Sequence, residues 1–155
     1  MATAANGRKV PAFNLHATGG KQLGLGDFKG RKLVLYFYPK DDTPGCTAEG
    51  QGFRDQYEVF RKAGAEIVGV SRDSVASHEK FKAKYELPFE LISDPDETLC
   101  AIFNVMREKN MYGRKVMGVE RSTFLIDADG VLREEWRKVK VPGHVDEVLE
   151  AVKAL

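Results

Sequence analysis

The sequence is short of the features that announce several common functions. Its 155 residues include two cysteines, Cys46 and Cys100, and a single tryptophan. Two thiols so far apart make no disulfide scaffold, and neither belongs to a C-x-x-C pair, which removes the zinc-ribbon and dithiol signatures. No apolar run exceeds Leu33-Val34-Leu35-Tyr36-Phe37-Tyr38, far short of the ~20 residues of a membrane-spanning helix. An excess of one charge is also missing: 24 Lys+Arg against 23 Asp+Glu leave +1. No global field draws the chain to nucleic acid or anionic lipid. Met1 to Lys9 is small and polar, without the apolar stretch of a secretory leader, which predicts a reducing, cytoplasmic setting. His16, His78 and His144 have no metal-ligand spacing, and no glycine-rich phosphate loop follows a strand.

What is present reads as one globular domain over residues 1–155, since hydrophobic residues at 43% suffice for a core. Lys32–Tyr38 is apolar throughout, as suits a strand covered on both faces. From Pro44 to about Ala63 the residues Cys46, Gly50, Phe53, Tyr57 and Phe60 recur at helical spacing. Glu49, Arg54, Asp55, Glu58 and Arg61 fall on the opposite, charged face, and Gly64 follows as a stop. Glu66–Ser71 is a second strand, Val75–Tyr85 a helix, Leu87–Ile92 an extended piece and Asp96–Phe103 a short helix. Ser122–Asp127 and Val131–Val139 form a hairpin about Asp127-Ala128-Asp129-Gly130. A closing helix carries Val145, Val148, Leu149 and Val152. Lys109, Arg114 and Lys115 read as a solvated basic loop. The order predicts an α/β fold, a central mixed sheet with helices on both faces. That pattern is compatible with a thioredoxin-like core and with a small flavodoxin-like sheet.

The turn Pro39-Lys40-Asp41-Asp42-Thr43-Pro44-Gly45-Cys46 carries the most chemistry. Thr43 suits an N-cap and Pro44 the first helical position. Cys46 then takes the third position, where a capping box places a glutamate because the first-turn N–H groups and the helix dipole favour an anion. The same environment favours a thiolate. The competing reading is an ordinary core cysteine on an apolar helix face. Asp41 and Asp42 also oppose a nearby thiolate, so a cation is required. Arg121 is the candidate. If Ser122–Asp127 runs antiparallel to Lys32–Tyr38, Arg121 arrives beside Cys46 from 75 positions away.

These residues resemble a known family. Pro39-x-x-x-Thr43-x-x-Cys46 matches the P-x-x-x-T-x-x-C motif of the peroxiredoxins. The block Tyr36 to Glu49, Y-F-Y-P-K-D-D-T-P-G-C-T-A-E, is similar to the Q-type, or bacterioferritin comigratory protein, subgroup. So are the blocks Glu108 to Asp127 and Trp136 to His144. The resemblance implies a thioredoxin-like fold and reduction of hydrogen peroxide and organic hydroperoxides. It implies that Cys46 is the peroxidatic nucleophile, that Thr43 hydrogen-bonds the thiolate and the peroxide, that Arg121 stabilises developing charge and that Pro39 shields the sulfur from water. No metal, flavin or haem cofactor is implied, and relatives imply a monomer.

The chain departs from the subgroup in one respect. The two places where subgroup members carry a second, resolving cysteine are here Gln51 and Lys82. The expectation is therefore a one-cysteine cycle, with the sulfenic acid on Cys46 condensed by an external thiol: thioredoxin, glutaredoxin or a small thiol. Cys100 is the alternative resolving residue. A non-peroxidase thiol–disulfide oxidoreductase and a non-catalytic binding module are the competing functions.

Overall fold

The computed structural model describes residues 2–155. Apolar β3, Lys32–Phe37, is an interior strand of a seven-stranded sheet. It pairs in parallel with β4, Ala65–Ser71, and antiparallel with β8, Ser122–Ile126. Beyond β4 come β5, Glu90–Ser93, then β1, Asn14–Ala17, and β2, Lys21–Gly24. Beyond β8 lies β9, Leu132–Trp136, with a register shift at Leu125/Ile126. A separate two-stranded ribbon is formed by β6, Met106–Met111, and β7, Arg114–Val119.

Successive side chains of a strand point to opposite faces, and β3 divides the interior accordingly. Leu33, Leu35 and Phe37 join one core with Val10, Phe28, Cys100, Phe103 and Phe124. Val34, Tyr36 and Tyr38 join the other with Cys46, Phe53, Phe60, Phe81 and Val148. Residues of α1, Pro44–Lys62, α2, Val75–Lys84, and α4, His144–Ala154, fill the second core. The short α3, Thr98–Ile102, fills the first. Each fully buried large apolar side chain contributes about 1.5–3 kcal/mol, which accounts for β3 tolerating no polar residue after Lys32.

The predicted apolar face of α1 is observed: Cys46, Gly50, Phe53, Tyr57 and Phe60 are all buried. Glu49 corrects the expectation, because it is fully buried and not on the charged face. At the helix end Gly64 takes φ +83°, a left-handed conformation that suits glycine. Thr43 is at the N-cap position, but its hydroxyl donates to Lys40 O at 2.8 Å and not to the helix.

A ribbon stands where a loop was expected at Lys109, Arg114 and Lys115; Arg114 and Lys115 are solvated as expected, and Lys109 is half-buried. The ribbon's two-residue turn, Tyr112-Gly113, has φ +53° and +78°, which matches the twist of a tight hairpin. Charged residues fall on both faces of the ribbon, so the alternation that reveals a half-buried strand is missing.

Candidate active site

The antiparallel register of β3 with β8 sets Phe37 opposite Ser122. The end of β3, from which the chain turns into α1, therefore lies beside the start of β8. Arg121 immediately precedes that start. Its Nη2 donates to Cys46 Sγ at 3.4 Å and its Nη1 to Glu49 Oε1 at 2.7 Å. The arrival of Arg121 beside Cys46 is as the sequence predicts. The side chain is 16% exposed. Cys46 is 2% exposed and sits third in α1, after Pro44 and Gly45.

Gly45 has a definite part in this contact. A Cβ on it would lie 3.0 Å from Arg121 Nη2. The missing side chain leaves the space the guanidinium occupies.

Glu49 is the member of the group that sequence reasoning missed. Burial pushes its pKa up to about 7, although the charge and hydrogen bond of Arg121 pull it down. Its second oxygen, Oε2, is buried without a hydrogen-bond partner among the described residues, as is Tyr36 Oη. Burial also lowers the pKa of Arg121, but Glu49 and Cys46 outweigh it and leave the guanidinium raised. The arginine is thus permanently charged and shared between a carboxyl and a sulfur. The signal in the sequence is a carboxylate three residues after Cys46, on the next turn of the same helix.

The turn that precedes Cys46 is pinned from α2. Asp41 is buried, and its carboxylate accepts from Tyr38 Oη at 2.7 Å, Ser77 Oγ at 2.8 Å and His78 Nδ1 at 2.7 Å. His78 Nε2 faces Ile92 O at 2.9 Å. Each ring nitrogen of His78 thus faces an oxygen. Asp41 N donates to Asp73 Oδ2 at 2.9 Å. Asp42 bonds Lys84 and Tyr85, and those bonds hold its carboxyl below the usual range. Both aspartates therefore have hydrogen-bond partners of their own. Asp41, Asp73 and His78 also present ligand atoms within 4.8 Å of one another. Those atoms are already engaged in the hydrogen bonds just described, so the cluster reads as a fastening between turn and helix.

Pro39 is half-buried at the exit of β3. Thr43 Oγ1 spends its proton on Lys40 O. Among the described residues it makes no hydrogen bond to Cys46, and its lone pairs are left to accept. His144 bonds Thr123 Oγ1 at 2.8 Å. Burial, with Arg121 nearby, lowers its pKa to about 4, so it is neutral at pH 7.

Cys100 lies elsewhere. It is fully buried in the core on the other face of β3, and its backbone N–H donates to Asp94 Oδ2 at 2.8 Å. Burial and then the Asp94 charge hold its thiol well above the ordinary range. Gln51 follows Gly50 on α1, and Lys82 on α2 pairs with Glu90. A cavity of about 600 Å³ is lined by Val10, Phe28, Leu33 and Ile126. It is at the far end of β3 from Cys46 and has no site residue in its wall.

A buried sulfur bonded to a charged guanidinium, at the first turn of a helix, can be held as an anion and can attack an electrophilic atom. Such donors also stabilise negative charge developing beside the sulfur. Comparison with known proteins agrees with this chemistry. Residues 6–135 match the AhpC/TSA family. The peroxiredoxin Bcp of Xanthomonas campestris is 56% identical over 140 residues, 90% of this chain and 88% of the relative. That of Bacillus subtilis is 50% identical over 147 residues, 95% of this chain and 94% of the relative. A solved structure of the Xanthomonas campestris bacterioferritin comigratory protein, concerned with its alkyl peroxide reduction activity, superposes with a TM-score of 0.88. It is 55% identical and covers 92% of this chain and 90% of its own.

Proposed function

This chain belongs to the AhpC/TSA family as a peroxiredoxin of the Bcp/Q group, a thiol peroxidase, and from that premise we propose that Cys46 is its peroxidatic residue. Hydrogen peroxide and alkyl hydroperoxides are the substrates. The Cys46 sulfur anion attacks the terminal peroxide oxygen. An S–O bond forms, the O–O bond breaks, and the electron pair leaves on the distal oxygen, which takes up a proton from solvent. The sulfur is oxidised to a sulfenic acid and the peroxide is reduced to water or an alcohol.

The observation that carries the assignment is the Arg121 guanidinium, 3.4 Å from Sγ. Its charge and the N–H groups at the start of α1 stabilise negative charge on sulfur and on the departing oxygen together, and so favour the transition state. Thr43, with its proton given to Lys40 O, accepts the hydrogen bond of the peroxide O–H. Pro39 limits water at the sulfur.

One domain over 1–155 performs the whole first step, as a monomer. An external thiol completes the cycle. It condenses with the sulfenic acid, releases water and leaves a mixed disulfide that a second thiol reduces. Thioredoxin, glutaredoxin or a small thiol would serve. Gln51 and Lys82 at the two familiar resolving places support this, and so does the location of Cys100 across the sheet.

The test is intact-mass measurement of wild type, Cys46→Ser and Cys100→Ser after one equivalent of hydroperoxide. A gain of about 16 mass units in wild type and Cys100→Ser, and none in Cys46→Ser, is expected. A quantitative loss of about two mass units in wild type would instead show a Cys46–Cys100 disulfide.

A further inference from the structure

The β6–β7 ribbon gathers the exposed apolar surface of the protein. Six large apolar side chains are exposed among the described residues, and four of them, Met111, Tyr112, Val116 and Met117, are on the ribbon. Tyr112, at the turn, is fully exposed. Apart from Met106 and Val119 at its foot, no ribbon residue joins either core. A two-stranded ribbon is at best marginally stable in water by itself. Clustered apolar side chains that serve no core mark an interaction surface.

Charge narrows the choice of occupant. Residues 106–119 hold four basic side chains against Glu108, a net +3, whereas the rest of the chain has 20 basic against 22 acidic, a net −2. Pairing sets Lys109 opposite Val116 and Met111 opposite Arg114. Opposed residues share a face, and alternate residues along a strand return to it. Arg107, Lys109, Met111, Arg114 and Val116 therefore form a face whose strand positions include no carboxylate. At its foot Arg107 pairs with Glu120 at 3.6 Å. Arg114, next to the turn, is exposed and has no ion pair among the described residues. A second copy seated there symmetrically would set +3 against +3. An acidic partner meets complementary charge together with apolar area, and Arg, Met and Tyr are residue types that interfaces favour.

The foot of the ribbon leads into the thiol site. Lys109 Nζ donates to Val119 O at 2.7 Å and Arg72 Nη2 to Met117 O at 3.4 Å, which fasten that end. Two residues after Val119 comes Arg121, whose guanidinium is 3.4 Å from Cys46 Sγ. Strands of this length extend about 20 Å, so a small domain lying along the ribbon spans it from turn to foot. We propose that Met111, Tyr112, Arg114 and Val116 dock the protein that reduces oxidised Cys46, an acidic protein with a surface dithiol. The inference deepens the peroxidase reading and rests on it and on an external thiol. A thiolate of the docked protein attacks the sulfenic sulfur of Cys46. An S–S bond forms, the S–O bond breaks, and the oxygen takes up protons and leaves as water. The partner's second thiolate then attacks the partner's own sulfur in the mixed disulfide, closing the partner's disulfide and releasing Cys46 as a thiolate.

The experiment measures peroxide turnover of the full chain with two reductants. One is a thioredoxin of net negative charge, kept reduced by its NADPH-dependent reductase; the other is dithiothreitol, which needs no docking surface. Wild type, Arg114→Glu, Arg114→Lys and Tyr112→Ser are compared. Arg114→Glu should raise the KM for thioredoxin about tenfold and Tyr112→Ser about fivefold, while Arg114→Lys stays within about twofold of wild type. Added salt should raise the wild-type KM and shrink its difference from Arg114→Glu. Turnover with dithiothreitol and the stopped-flow rate of Cys46 oxidation should stay within about twofold in every variant. A thioredoxin KM within about twofold of wild type in both Arg114→Glu and Tyr112→Ser, or a loss shared equally with dithiothreitol, overturns the inference. So does a wild-type dimer that Tyr112→Ser dissociates, or binding to phosphatidylserine vesicles that Arg114→Glu abolishes, since the surface then belongs to a second copy or a membrane. Turnover with dithiothreitol and none with thioredoxin removes the proposed partner and leaves the peroxidase reading standing. A wild type that leaves peroxide untouched with either reductant overturns that reading and the inference with it.

Discussion

Arg121 and Cys46 are 75 positions apart in the chain and 3.4 Å apart at Nη2 and Sγ. The contact depends on the antiparallel register of β8 with β3 and on the missing side chain of Gly45. Arg121→Ala should lower the second-order rate of peroxide reduction about 10²–10³-fold, the cost of losing one preorganised donor to developing charge. Stopped-flow kinetics at pH 7 measure it. A rate within about threefold of wild type would contradict the role given to the guanidinium.

Glu49 gives the protein a pH-dependent stability of predictable sign. Its pKa is raised in the fold, from an ordinary 4.5 to about 7. A group whose folded pKa is raised contributes stability that is complete below the unfolded value and is lost as pH rises through the folded one. Wild type should therefore lose stability relative to Glu49→Gln between pH 4.5 and 7, by up to about 3 kcal/mol. Urea denaturation of both proteins at pH 4.5 and pH 8 reads the difference. A difference that is flat, or that grows in the other direction, excludes a buried Glu49 that titrates near neutrality.

Cys100→Ser should leave the peroxide rate within about twofold of wild type and reduce folding stability by about 1–3 kcal/mol, because a hydroxyl replaces a thiol in an apolar core. Initial rates with an external thiol, together with urea denaturation, separate the two effects. A large loss of turnover with intact stability would argue that Cys100 takes part in the cycle.

His78→Phe should destabilise the fold by about 3 kcal/mol, since it strips a buried carboxylate, Asp41, of its ring donor. The loss should be accompanied by faster hydrogen exchange at the N-terminal end of α2, which His78 and Ser77 attach to the active-site turn. Stability within about 1 kcal/mol of wild type would show that Tyr38 and Ser77 suffice to hold Asp41.

Much of this architecture is legible in the residues because local pattern and final packing agree. The apolar run of β3 is buried on both sides, and the five spaced residues of α1 are its inner face. Arg121 was placeable because strand direction alone moves it to the right end of the sheet. The remainder depends on contacts between distant segments. Glu49 lies one turn from Cys46 among charged residues, and only the arrival of Arg121 explains its burial. Asp41 looks like a loose acid until His78, 37 positions on, closes over it. The β6–β7 ribbon has charged residues on both faces and a Tyr-Gly turn, so neither alternation nor an Asn-Gly signal marks it.

The alternation along β3 makes the sheet a partition. Leu33, Leu35 and Phe37 look into one chamber, and Val34, Tyr36 and the following Tyr38 into the one that holds Cys46. A change behind the wall, at Cys100 or around the phenylalanines there, reaches Cys46 through the strands, β3 itself or β8 with the Arg121 that precedes it. The sheet stands between Cys46 and half of the protein's own interior.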